Sequence, residues 1–326
     1  MGNEIAPIET SSWSDVLQEL NIPKLIAGPA GEAISRLVGH VVDVPSEYIK
    51  SFKQGIEDKR EARSAVSKAL ATAVATEVVA DKDLVRRAAQ SFLAKELRSQ
   101  TNKEAVARNA IEHLSHQPET SGQKPQTPEE DWLNVFERYA ENASSEKLRD
   151  LWGRVLAKEI RSPKSFSLRT MRFVSELDVD IAQTFQKYAK SVIDGSFMLK
   201  QPNLEGELFN DLLRLEDAGL ITGVQGNIAK IFKSQSQQAA VLLKYFNKGI
   251  FVRFDEQVSL NLPQILLTNV GREVLKIIDT VDDEGEARRF AEAFPKQGVV
   301  DIAYGRLSDS QTGLIDPVII WQRPPN

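Results

Sequence analysis

Cysteine is missing from all 326 residues. That absence removes disulfides, thiolate metal sites and a cysteine nucleophile together. Histidine is scarce, with three residues, and aromatics make up 7% of the chain. No stretch approaches the roughly 18 consecutive apolar residues of a membrane-spanning helix. The opening MGNEIAPIETSSWSDV has no basic start followed by an apolar run, so it does not read as a secretory signal. These absences predict a cytoplasmic protein. Also lacking are a phosphate-cradling glycine loop, a dinucleotide glycine fingerprint, a nucleophile elbow and a paired-histidine zinc helix. The expectation is therefore a protein that is not an enzyme and takes no cofactor, although distant residues could still converge on an active site.

What is present is an ordinary globular composition, 41% hydrophobic with a net charge of −5. That charge is mild and argues against a dedicated nucleic-acid coat. Its distribution is uneven: residues 46–116 hold 13 Lys+Arg against 10 Asp+Glu, and 201–326 hold 13 against 17. The front half is slightly basic and the rear acidic, as mixed-sign solvated faces usually are.

The pattern predicts a mainly α protein with a C-terminal α+β domain. Residues 1–23 read as a flexible N-terminus, with Trp13, Val16, Leu17 and Leu20 suited to a short docking helix. Residues 24–116 read as an elongated helical arm. Within it, Ala30, Ala33, Ile34, Leu37, Val38 and Val41 recur at helical spacing. Pro45 breaks that run. A second stripe, Ala62, Ala65, Ala69 and Ala73, offers a close-packing face. Asp81 or Asp83 restarts a helix through Leu84, Ala88, Phe92 and Leu97, with Val106, Ala110 and Leu114 as its continuation or a successor. Residues 117–128 form the linker, rich in proline and empty of large apolar side chains. Residues 129–200 read as a small helical bundle. Residues 201–326 read as a winged-helix-like domain: a helix over 205–218 stopped by Gly219, then strands near 228–232, 241–246, 250–254 and 265–267. Helices over 269–278 and 284–294 and strands near 299–304 and 318–321 complete it. Asn247-Lys248-Gly249 predicts a hairpin turn.

The most distinctive segment is Leu151-Trp152-x-x-Val155-Leu156-Ala157-x-Glu159, followed by Ser162-Pro163-x-Ser165-Phe166-Ser167-Leu168-Arg169-Thr170. On these residues the chain resembles a bacterial domain-of-unknown-function family, the one numbered 2806. The likeness extends from the arm to the Leu267-Thr268-x-x-Gly271 turn and implies a cytoplasmic protein with a helical front and a winged-helix-like rear. It implies no activity. The helical core also resembles, more distantly, abortive-infection-type phage-defence proteins. The signature has a structural explanation: a bundle face around Trp152, a stop at Pro163 and a hydroxyl at Ser167 for free N–H groups. Its functional reading is an anion or partner site at a helix start, using Ser167, Arg169 and Arg172.

Other clusters carry little chemistry. His113 and His116 sit three apart at a helix end, where a solvated end outweighs a metal pair, since zinc sites want three or four protein ligands. Glu129-Glu130-Asp131, Asp178 with Asp180, and Asp282-Asp283-Glu284 each fall at a helix start, where negative charge suits the dipole. On the helix over 205–218, Glu205, Glu207, Asp211, Glu216 and Asp217 face one base, Arg214, which would repel a duplex. Lys230 and Lys233 compensate only slightly.

The function expected is a non-catalytic assembly or sensor protein acting through a protein partner or a homo-oligomer, in an anti-phage setting. The alanine stripe either serves that contact or folds back on the bundle. The alternatives are a winged-helix DNA-binding regulator, which the acids disfavour, and a membrane-active effector through residues 24–44. Lys24, Glu32, Arg36, His40 and Asp43 prevent a simple span there.

Overall fold

The structure is a computed structural model, and it describes residues 28–39, 82–116, 125–233, 239–256, 258–278 and 283–324. The expected N-terminal docking helix and the stripe Ala62, Ala65, Ala69 and Ala73 lie outside the described residues. Among the described residues the protein is mixed α/β, with nine helices and two four-stranded antiparallel sheets. The chain divides into two compact units at Leu168.

The first unit is helical. Helix α1 (Pro29–Val38) starts with proline at a position where the missing N–H costs nothing and stops at Gly39, left-handed at φ 68°. Its small-residue face, Ala30, Ala33, Ile34, Leu37 and Val38, is buried. Helix α2 (Lys82–His116) is continuous over 35 residues, so the Val106–Leu114 stretch continues the preceding helix. Helices α3 (Glu130–Glu141) and α4 (Glu146–Arg161) complete the unit. The second half of α2 packs on α3 and α4, and α1 packs on α2 and α4. Helices read from the sequence as arm and as bundle therefore share one core, because one apolar stripe must be covered by another.

Two details explain the close helix crossing. A Cβ at Gly153 would stand 2.6 Å from the Asn109 Cβ and 3.0 Å from the Ala110 nitrogen, so α4 meets α2 backbone to backbone. Beside that crossing Trp132 stacks on Phe136 at 5.0 Å, Phe136 meets the Trp152 edge at 5.8 Å, and Tyr139 stacks on Trp152 at 5.2 Å. Aromatic pairs in these geometries add roughly 0.5–1.5 kcal/mol beyond their burial.

The second unit opens with helices α5 (Leu168–Ser175) and α6 (Val179–Ala189). Strand β1 (Phe197–Leu199), helix α7 (Gly206–Asp217), strands β2 (Ile221–Thr222), β3 (Ala229–Lys233), β4 (Ala239–Tyr245), β5 (Lys248–Phe254) and β6 (Ser259–Leu267) follow. Helices α8 (Asn269–Leu275) and α9 (Glu284–Ala293) and strands β7 (Val299–Leu307) and β8 (Leu314–Gln322) finish the chain. In the first sheet β6 is central: β1 pairs with it along one edge, β2 and β3 along the other. The second sheet runs β4-β5-β7-β8. Helix α9 lays Ala287, Phe290, Ala291 and Phe294 over Leu243, Tyr245, Ile250, Val252, Ile302 and Tyr304.

The β4–β5 hairpin turns one residue earlier than Asn247-Lys248-Gly249 suggested. Tyr245 pairs with Lys248, so Phe246-Asn247 form the loop, with Phe246 at φ 52°. Glycine usually fills such a position. Here Phe246 lies against the Tyr245 ring at 4.8 Å. Gly249 instead sits in the strand, where a Cβ would meet Leu314, Leu242 and Leu307 at 2.7–2.9 Å.

Candidate functional site

The signature segment resolves into a buried acceptor holding a loop. Ser145 caps α4 by accepting from the Leu148 N–H at 3.2 Å, and the helix ends at Ser162. Glu159, 4% exposed, turns its carboxylate onto that ending: it accepts from the Lys164 N–H at 2.6 Å and the Phe166 N–H at 3.0 Å. The Trp132 indole N–H donates to the Phe166 carbonyl at 2.9 Å. Lys164 is left-handed at φ 64°, which lets the chain reverse around the carboxylate. A charged acceptor serving two backbone donors is stronger than a neutral one. The sequence marked Glu159 as part of a motif without giving it this task.

The C-terminal end of α2 is tied down in the same manner. Arg161 donates to the carbonyls of His113 and Leu114, which the helix itself leaves open. His113 Nε2 stands 2.7 Å from Asp150, and Arg154 holds the other oxygen of Asp150 at 2.9 Å. So His113 is no solvated helix end: a carboxylate one helix away engages it. Asn102, buried, donates to the Glu141 carbonyl at 2.8 Å and accepts from Arg149 at 2.8 Å.

The first half of α2 is different. From Arg87 to Arg98 every side chain that is described is exposed, including Phe92 at 59% and Leu97 at 69%. Ser167 is exposed ahead of α5. Arg169 and Arg172 are exposed on α5, and Arg172 pairs with Glu176 one turn on at 3.1 Å. Arg172 thus already has a counter-charge at the expected anion site.

In the second unit the acids of α7 are partly spoken for. Lys187 of α6 donates to Glu207 and to Asp211, each at 2.9 Å, and the Tyr188 hydroxyl donates to Asp211 at 2.8 Å. The Lys187 ammonium holds the Asp211 carboxyl below its usual range, while burial pushes the Tyr188 phenol up. Glu216 accepts from the Gly223 and Val224 N–H groups and orders the turn after β2. Glu205 and Asp217 stay exposed.

A second lock lies where α7 ends and α8 begins. Gly219 is left-handed at φ 80°. Thr268 donates its hydroxyl to the Gly219 carbonyl at 2.7 Å and accepts from the Gly271 N–H at 3.0 Å. A Cβ at Gly271 would stand 2.0 Å from the Leu220 carbonyl oxygen, so only glycine fits there.

The acidic clusters occupy helix starts. Asp283 accepts from the Gly285 N–H at 2.7 Å, whereas Glu129 and Asp178 stand at the N-cap position without a side-chain capping bond. Among the described residues no three of His, Asp and Glu converge as metal ligands, and no helix is long and apolar enough to cross a membrane.

Residues 86–197 match the model of a family described as protein of unknown function (DUF2806). The similarity to that family thus runs from α2 to the start of β1 and contains the whole Leu151–Thr170 signature. The match ends at Phe197, short of the Leu267–Gly271 turn, so the likeness is narrower than the sequence suggested. No curated protein and no solved structure matches the chain.

Proposed function

We propose that this chain is a non-catalytic assembly or sensor protein that works by gripping other polypeptides, with the first half of α2 as a contact. The observation that supports it is the run Arg87–Arg98, whose described side chains are all exposed and include Phe92 and Leu97. Helices draw most of their stability from a packed face rather than from propensity. Among the described residues Phe92 and Leu97 stay exposed, and such a helical stretch gains from a covering surface. The anti-phage setting is part of the proposal and rests on the distant abortive-infection likeness alone. Photo-crosslinking tests the contact: with a photoreactive residue replacing Phe92 or Leu97 in the full chain, expressed in cells, adducts of higher mass are expected. Recovery of the uncrosslinked chain alone at both positions overturns the reading.

A second reading, a winged-helix DNA-binding regulator, is favoured by one observation. Helix α7 lies between β1 and β2, and both strands pair with β6, the order such a domain uses. Exposed Lys230, Ile231 and Lys233 on β3 would be its wing. Exposed Glu205 and Asp217 weigh against it, since duplex binding rests on neutralising phosphates. Absence of any gel shift on random duplex at low salt removes it. The membrane reading for residues 24–44 is weakened by burial of the apolar face of α1.

A further inference from the structure

The exposed first half of α2 carries a second pattern besides Phe92 and Leu97. Arg87, Ser91, Lys95 and Arg98 recur at spacings of four, four and three, which places them on one side of the helix. At about 100° per residue they fall within roughly 80° of arc. All four are exposed, and so are Ala88 and Ala94, just outside either edge of that arc. Phe92 stands about 60° beyond Lys95, and Leu97 about 80° beyond Arg87 in the opposite direction. Glu96 is the one acid between Arg87 and Arg98, and it falls about 100° from Lys95, outside the stripe. The face is a strip of three bases among small residues, with one large apolar side chain along each border.

On α5 and α9, exposed arginines meet a carboxylate one turn away. Arg172 pairs with Glu176 at 3.1 Å, and Arg288 with Glu284 at 2.6 Å. Lys95 and Arg98 have no acid three or four positions away in either direction, and each has the other instead. Like charges at helical spacing repel, so the stripe holds its positive charge at some cost to the helix. An anionic surface laid along it relieves that repulsion. The stripe is also well held, because α2 runs unbroken into the half that packs on α3 and α4.

We infer, on the strength of the contact proposed above, that the partner gripped here is an acidic polypeptide segment. Its carboxylates follow Arg87, Lys95 and Arg98, and its apolar side chains meet Phe92 and Leu97. Ala88, Ser91 and Ala94 leave room between the bases for a partner backbone to come close. Opposite charges across such a contact steer the encounter and fix its register. Two other anionic surfaces fit less well. Duplex nucleic acid draws its affinity from many neutralised phosphates, and three bases on a chain of net charge −5 supply few. A lipid surface takes apolar residues gathered on one face, whereas Phe92 and Leu97 stand on opposite sides of the bases.

Fluorescence anisotropy on the purified full chain tests this with a labelled helical peptide built from Glu, Ala and Leu. Saturable binding at low salt is expected, weakening as salt rises. Arg87→Glu/Lys95→Glu is expected to raise the dissociation constant at least about tenfold. Lys230→Glu/Lys233→Glu, an equal change of charge at exposed positions on β3, is expected to leave it unaltered. Arg87→Gln/Lys95→Gln removes charge without reversing it, should give an intermediate effect, and decides the matter should the reversal disturb the fold. Failure of the peptide to bind, or equal binding in the charge-reversed chain, overturns the inference. So does equal or tighter binding, through Arg87 and Lys95, of random duplex DNA or of vesicles rich in anionic phospholipid. Should that happen while Phe92 still forms photo-adducts in cells, the contact on α2 stands and only its charge chemistry falls; without adducts, both fall.

Discussion

The helical unit before Leu168 and the α/β unit after it hold their turns in different ways. In the first, side chains reach across to open backbone groups: Glu159 to the 162–166 loop, Arg161 to the end of α2, Asn102 to the Glu141 carbonyl. In the second, Glu216 and Thr268 also serve backbone groups at turns, but the tightest turn is held by backbone against backbone, where Gly271 lies under the Leu220 carbonyl. Helices leave four N–H and four C=O groups unsatisfied at each end, and long polar side chains are the means of meeting them. Sheets satisfy their backbone by pairing, so their weak points are the places where a side chain has no room.

The largest expected effect breaks the second device. Gly271→Ala drives a methyl into the Leu220 carbonyl, and overpacking against unyielding backbone costs about 3 kcal/mol or more. Urea unfolding followed at Trp321 should shift to lower denaturant, while the Trp132–Trp152 signal of the first unit keeps its midpoint. Loss of both signals together would erase the distinction between the units.

Next comes the first device. Glu159→Ala leaves the Lys164 and Phe166 N–H groups buried without an acceptor, which costs about 2–4 kcal/mol. Glu159→Gln keeps one acceptor oxygen and should recover part of that. Chemical denaturation and hydrogen exchange at Phe166 read both; equal losses in the two variants would show that packing, not hydrogen bonding, is what the carboxylate supplies.

The smallest effect concerns the clamp between α6 and α7. The Asp211 carboxyl is held below its ordinary value of 3.8 by Lys187 first and Tyr188 second. A depressed acid adds stability that is complete above about pH 4 and disappears as pH falls through the folded value. Asp211→Asn should therefore lower stability slightly at neutral pH, within the range of exposed ion pairs. It should also flatten the acid limb of a stability-against-pH curve; an unchanged limb would assign that limb to other carboxylates.

Much of the architecture was legible in the residues. The cap at Ser145, the stop at Ser162-Pro163 and the glycine ending α7 are local signals, and the helices lie where they point. Strands β1 and β2 escaped notice because three and two residues are too short to show alternation. Thr268 and Gly271 drew attention as a turn, but their partners, Gly219 and Leu220, lie almost fifty positions earlier. The acids of α7 counted as a repulsive face by composition, yet Asp211 is held by Lys187 and Tyr188, and Glu216 orders the turn at Gly223. The candidate residues Ser167, Arg169 and Arg172 were found by pattern alone, and Arg172 proves to be engaged with Glu176.

Composition and spacing alone were enough to exclude thiol chemistry, to place most helices and to announce an α+β rear, because those properties depend on residues within a few positions of each other. Which stripe covers which, why Glu159 is buried, and that Leu242, Phe251, Ala303 and Ile319 fall in one line were settled only in three dimensions. Strand register and helix crossing join residues far apart in the chain, and no local pattern carries that information.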